Sequence, residues 1–189
     1  MRRAESEVTD IGEILGIVSR AKILRLGLFD GEFPYVVPLH YGYEYQDGTL
    51  IFYMHSAKEG HKLGLLKKNP RVCVELDCDI LFDSGGEVPC RCGAHSEFSS
   101  VIGRGFAEIV SDEREKIRGL ERLMSTQTGR SCAIDAQMAA AVAVIKVTVK
   151  DFTAKAKRPG TKHAQKTPDE EAWLAKRNFK NGPDDAYTG

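Results

Sequence analysis

Residues 50–70 read LIFYMHSAKEGHKLGLLKKNP, an apolar strand running into a helix that Asn69-Pro70 then stops. Ser56-Ala57-Lys58-Glu59 has the form of a capping box, in which Ser56 caps the helix and Glu59 reaches back to the Ser56 amide. A helix over residues 56–69 would then place Lys58, His61 and Lys62 at i, i+3 and i+4 on one face. Helix N-termini already carry partial positive charge, so gathering cations there is mildly unfavourable unless an anion sits among them. Free amides and Lys or His donors together suit a phosphate. The competing reading is a solvated basic face continued by Lys67 and Lys68.

Working outward, alternation and turn signals organise the chain. Ile11, Ile14, Leu15 and Val18 mark one amphipathic helix with Asp10 as its cap. AKILRLGLF alternates as a half-buried strand, Asp30-Gly31 is a turn, and YVVPLHYGYEY resumes as a second strand. Gln46-Asp47-Gly48 turns the chain again into TLIFYMH, so these three strands are expected to form an antiparallel meander. Beyond Pro70, RVCVELDCDI turns Val72, Val74 and Leu76 inward. EFSSVIGRGFAEIV is a strand pair or one long bulged strand, a helix opens at Ser111-Asp112-Glu113 and closes on Gly129, and AVAVIKVTVKDFTAK is the last strand. Many strands, short hairpins and a single obvious strand-helix-strand crossover predict a mainly β protein, a β-barrel with peripheral helices.

At 189 residues the chain suits one domain over 1–154, with a C-terminal tail over 155–189 that is either disordered or docked on the barrel or a partner subunit through Trp173, Leu174 and Phe179. Charged residues cancel, 27 basic against 27 acidic, which argues against nucleic acid as a partner. The longest apolar run, around Met138 to Ile145, is too short to span a bilayer, and no signal region follows the N-terminus, so a cytoplasmic location is expected. Cys90, Cys92 and His95 have metal-ligand residue types, but a CxC with one His lacks the paired spacing of a zinc site; no metal is expected. No Walker pattern or GxGxxG is present.

Taken together, FPYVVPLHYGYEY, LIFYMHSAKEGHKLGLLKKNPRVCVELD and SVIGRGFAEIV resemble the nitroimidazole-resistance (Nim) proteins of the pyridoxamine 5′-phosphate oxidase-like superfamily. The resemblance runs from about Arg2 to about Lys155. It implies an FMN-binding split β-barrel, a homodimer with flavin at its interface, and a small-molecule substrate. It places His61 and Lys62 at the FMN phosphate, where the oxidases have an Arg-Lys pair, with Ser56, Ala57 and Lys58 as helpers. His61 gives up the planar fork of arginine, and an imidazole changes charge near neutral pH. The resemblance also lays Val37, Pro38, Leu39, His40 and Tyr41 along the flavin edge. On the residues alone, Pro38 would be an edge-strand break and Tyr41 core packing. Many relatives carry Asn-Phe where this chain has His40-Tyr41.

His55 ends an apolar strand, a setting in which a lone histidine is usually structural. The resemblance instead implies a catalytic His55 that hands a proton or hydrogen bond to a nitro group while reduced FMN supplies electrons. Two alternatives stand beside a nitroaromatic reductase. One is a flavin-binding or electron-carrying split barrel without that activity, and the other a haem-binding barrel with His55 or His61 on iron. Pyridoxamine phosphate oxidation is disfavoured, because the Arg-rich C-terminus of those oxidases is not recognisable and Lys157-Arg158 is a poor substitute.

Overall fold

The computed structural model describes residues 6–83 and 95–158. A short strand β1 (Glu7–Val8) precedes helix α1 (Ile11–Arg20). The helix starts where Asp10 Oδ1 accepts the Glu13 amide at 2.8 Å, and it buries Ile14, Ile17 and Val18. β2 (Leu24–Asp30) and β3 (Phe33–Leu39) form a hairpin with Gly31 at φ 70° in the first turn position, where a type II′ turn needs positive φ. β4 (Gly42–Gln46) and β5 (Thr49–Ser56) form another through Asp47 and Gly48, both at positive φ, as a type I′ turn requires. Helix α2 (His61–Lys68), strands β6 (Arg71–Asp83) and β7 (His95–Ile109), helices α3 (Glu113–Thr128) and α4 (Ala136–Ala141), and strand β8 (Ala143–Lys157) follow.

All pairings are antiparallel, in the order β3-β2-β6-β7-β8-β5-β4, with β1 added to β8. The two ends of that path, β3 and β4, are separated along the chain only by His40 and Tyr41. Leu39 and Gly42 can therefore be no more than about 11 Å apart. The sheet has to curl until its ends meet, which makes a barrel. Its interior takes alternate residues from each strand: Leu24, Leu26 and Leu28 on β2, Leu50, Phe52 and Met54 on β5, Val74 and Leu76 on β6, and Ile145, Val147 and Val149 on β8.

The meander expectation is corrected here. The stretch from Phe33 to Gln46 is not one strand; its first half pairs with β2 and its second with β5, with the change of partner at His40-Tyr41. EFSSVIGRGFAEIV is one long strand with a register shift against β8 at Arg104/Gly105. β1 and α4 were not expected. β8 runs three residues past the expected boundary at 154, because Lys155 pairs with Glu7. The rest of the expected tail from 159 onward, with Trp173, Leu174 and Phe179, lies outside the described residues, as do Cys90 and Cys92. Among the described residues no helix is long and apolar enough to cross a membrane.

α3 lies against the outer face of β4 and β5 because two glycines let it come close. A Cβ on Gly42 would lie 2.2 Å from the Leu123 amide nitrogen, and one on Gly119 would lie 2.6 Å from the Tyr53 ring. Glu44 on β4 accepts from Arg118 Nε at 3.0 Å and Arg122 Nε at 2.7 Å. Burial pushes the Glu44 carboxyl up, but the two guanidiniums outweigh it and hold it below the ordinary value. Gly42→Ala should cost about 1–3 kcal/mol by forcing helix and strand apart. Gly64→Ala, in open space within α2, should gain roughly 0.5–1 kcal/mol. Urea denaturation of the two variants should move the midpoint in opposite directions.

Candidate functional site: a split between two strands

The β4–β5 ladder ends at Gly42 opposite Tyr53. Had it continued, Met54, His55 and Ser56 would have faced Tyr41, His40 and Leu39. Instead β3 turns away to pair with β2, while β5 runs on to Ser56 paired only with β8. A split therefore opens between the outer edge of β3 and the end of β5, with His40-Tyr41 at its apex. Among the described residues, that edge of β3 has no strand partner. Alternate residues of an antiparallel strand turn their amides to each side. Pro34 and Pro38 have no N–H and suit the outward set, which leaves carbonyls and the single Val36 amide facing the split.

The expected flavin-edge residues divide by parity. Val37 and Leu39 turn inward and pack, half-buried, on the core, whereas Pro38 and His40 are exposed. His40 Nδ1 donates to the Lys22 carbonyl at 3.2 Å. Tyr41 takes the core role that its residue type alone suggested. Its ring is fully buried, its hydroxyl lies 2.6 Å from the Val18 carbonyl and 2.9 Å from that of Ala21, and burial drives its pKa upward. Gln127 Nε2 donates to the Tyr41 carbonyl at 2.8 Å. No Tyr41 side-chain atom is free to touch a ligand.

The basic segment is built differently from the capping box. Ser56 stays in β5 opposite Ala143, and its hydroxyl donates to the Ala57 carbonyl at 2.9 Å. Strand pairing holds it out of reach of the helix, so the N-cap is Gly60, at φ 141° and with no side chain to offer. Lys58 and Glu59 lie in the link before the helix, not on its face. The Gly60 carbonyl accepts from Leu63 and Gly64, while the His61 and Lys62 amides sit in the first turn, where no intrahelical acceptor exists.

His61 Nε2 lies 2.7 Å from Asp30 Oδ2, and the Tyr35 ring meets the imidazole edge-on at 5.0 Å between centroids. These contacts bring α2 against the β2–β3 hairpin. Lys62 is half-buried, and among the described residues it has no hydrogen bond or ion pair. Burial alone pushes its ammonium below the ordinary pKa. His55 is exposed on the outer face of β5 at the mouth of the split. Two residues back on the same face, Tyr53 donates to Glu115, which also pairs with Lys146 at 2.6 Å.

Sequence reasoning missed Asp30, Tyr35 and an apolar outer face. Phe29, Phe33, Val36, Ile102 and Phe106 are all at least half exposed. All but Ile102 line a cleft of about 1120 Å³ whose floor includes Gly27, Cys73 and Gly105. The cleft shares the β2–β3 hairpin with the split. The apolar outward positions of VIGRGF were the signal in the sequence for that face.

The sequence matches the family model for pyridoxamine 5′-phosphate oxidase over residues 10–156. No curated protein matches the chain. Among solved structures, a candidate 5-nitroimidazole antibiotic resistance protein from Bacteroides thetaiotaomicron VPI-5482 is similar, with 29% identity, a TM-score of 0.66, and 79% of this chain and 86% of that one covered. The flavocytochrome Anf3 from Azotobacter vinelandii shares the fold at 18% identity and a TM-score of 0.65, over 92% of this chain and 78% of that one. The FAD and heme binding protein from Mycobacterium smegmatis does so at 13% identity and a TM-score of 0.64, over 89% and 80%. With a family match along most of its length and an antiparallel barrel split beside β3, the chain belongs to the pyridoxamine 5′-phosphate oxidase-like family.

Proposed function

We propose that this protein binds FMN in the split and, as a homodimer, reduces nitroaromatic compounds in the manner of the Nim proteins. The observation that carries the reading is Lys62, a half-buried cation with no partner among the described residues, beside His61 and two first-turn amides. A charge so placed is costly unless a ligand neutralises it. The terminal phosphate monoester of FMN supplies two negative charges and several acceptors for such donors. A flavin ring edge presents both donors and acceptors, which suits the carbonyls and single amide left open on β3.

FMN, when bound, supplies electrons two at a time; a nitro group that takes up two electrons and two protons becomes a nitroso group and releases water. His55, exposed at the mouth of the split, is positioned to hand one of those protons to a nitro oxygen. The similarity to the Bacteroides protein supports the substrate class. The exposed phenylalanines around the large cleft support the homodimer, since apolar patches of that kind mark an interface. Ser56, the last residue of β5, and Ala57 and Lys58, in the link to α2, stay in the reading as helpers at the phosphate.

The absorbance spectrum of the purified protein tests the cofactor, with the chromophore released by denaturation and identified as FMN. A Soret band, or a colourless protein that takes up no added FMN, would sink the reading. With reduced flavin and a nitroimidazole, His55→Ala should lose at least about tenfold in turnover while keeping its flavin; loss of both would make His55 structural. Lys62→Met should weaken FMN binding yet leave the flavin-free protein no less stable. The unfolded chain holds the Lys62 proton more tightly than the folded one, so the stability of the wild type relative to Lys62→Met should rise as pH climbs toward 10.5, whatever the other titrating groups contribute to both proteins. Light scattering should give a dimer that Phe106→Glu converts to monomer.

A further inference from the structure

Asp30 and Tyr35 belong to the β2–β3 hairpin and lie outside the segment that carries the phosphate-site cations, yet both close on His61. A carboxylate only accepts hydrogen bonds, so the 2.7 Å contact with Asp30 requires the hydrogen on His61 Nε2. Turning the imidazole over would put a ring carbon in place of Nε2 and break that bond. The nitrogen left for a ligand is therefore Nδ1, which has no partner among the described residues. In the neutral ring Nδ1 is a lone pair and repels a phosphate oxygen. Only the imidazolium presents an Nδ1–H.

We infer that Asp30 is a positioning residue that makes His61 a phosphate ligand only in its doubly protonated form, so that binding a flavin 5′-phosphate takes up a proton. The inference rests on the phosphate reading of the α2 segment given above. The proton goes onto Nδ1 from solvent; no other bond is made or broken. In the bound state the imidazolium donates from Nε2 to the Asp30 carboxylate and from Nδ1 to the phosphate. From β2 the facing group is Asp30 and from β3 the Tyr35 phenol, while Lys58, Glu59 and Lys62 lie within three residues along the same segment. The lysines and the first-turn amides attract the phosphate in any case; His61 adds the proton-dependent part. An arginine at this position would donate at every pH.

The test is titration of the protein with FMN and, separately, with riboflavin, followed by flavin fluorescence between about pH 6.5 and 8.5, where a phosphate monoester stays largely dianionic. FMN affinity should fall with rising pH by up to about tenfold per unit, the limit for one coupled proton, while riboflavin affinity stays flat. Asp30→Asn offers Nε2 a donor as well as an acceptor, which lets the neutral ring carry its hydrogen on Nδ1, and should flatten the FMN profile without changing riboflavin affinity. His61→Arg should abolish the fall and hold FMN tightly at the alkaline end. A flat wild-type FMN profile, or an Asp30→Asn profile that superimposes on wild type, overturns the inference and leaves the phosphate site standing. Failure of FMN to bind at any pH overturns both. The wild-type and His61→Arg profiles decide the matter even if Asp30→Asn does not fold.

Discussion

The structure depends on one exchange of partners. At His40-Tyr41 the chain leaves the β2 ladder and joins that of β5, so the barrel is closed by covalent chain where β3 and β4 meet. That corner is clamped from two sides. The Tyr41 hydroxyl reaches carbonyls at the end of α1, and Gln127 from α3 bonds the Tyr41 carbonyl. A buried hydroxyl left without an acceptor costs about 1–3 kcal/mol, so the corner has a well-defined geometry. With the corner fixed, the outer edge of β3 and the end of β5 must diverge. The split is a consequence of closure, and the Tyr41 ring holds its apex.

Electrostatics separate what holds the barrel together from what suits a ligand. Glu44 is shared by Arg118 and Arg122, Lys146 by Glu108 and Glu115, and Arg25 pairs with Glu75 and Asp77. The bond from Arg20 holds the Asp79 carboxyl down at about 2. Against this well-paired background, Lys62 is a half-buried cation whose desolvation nothing in the described chain offsets. A position that spends folding stability in this way is where function is to be sought. His61 differs again, with a carboxylate partner on one ring nitrogen and the other left open.

Much of this was legible in local sequence. Alternation marked β2 and β6, and apolar runs marked β5 and β8; Asp30-Gly31 and Asp47-Gly48 marked the hairpins; Asp10 and Asp112 marked two helix starts. These features depend on the free energies of a few neighbouring residues, which tertiary context here did not override. The resemblance to the Nim proteins pointed to the β3 edge and the α2 segment, and the fold brings the two against each other through Tyr35 and His61.

What only tertiary structure decided is which edges pair and which charges go unpaired. FPYVVPLHYGYEY keeps its alternation through His40, so nothing local announces the change of partner; competition between two neighbouring strands does. Ser56-Ala57-Lys58-Glu59 is a valid capping box in isolation, but strand pairing opposite Ala143 claims Ser56 first. Asp30 reads as a turn residue until the fold carries it across thirty-one positions to His61. Sequence determined the elements, because alternation, turns and caps act over a few residues. The split and its charges were set by long-range packing, whose partners lie tens of residues away along the chain.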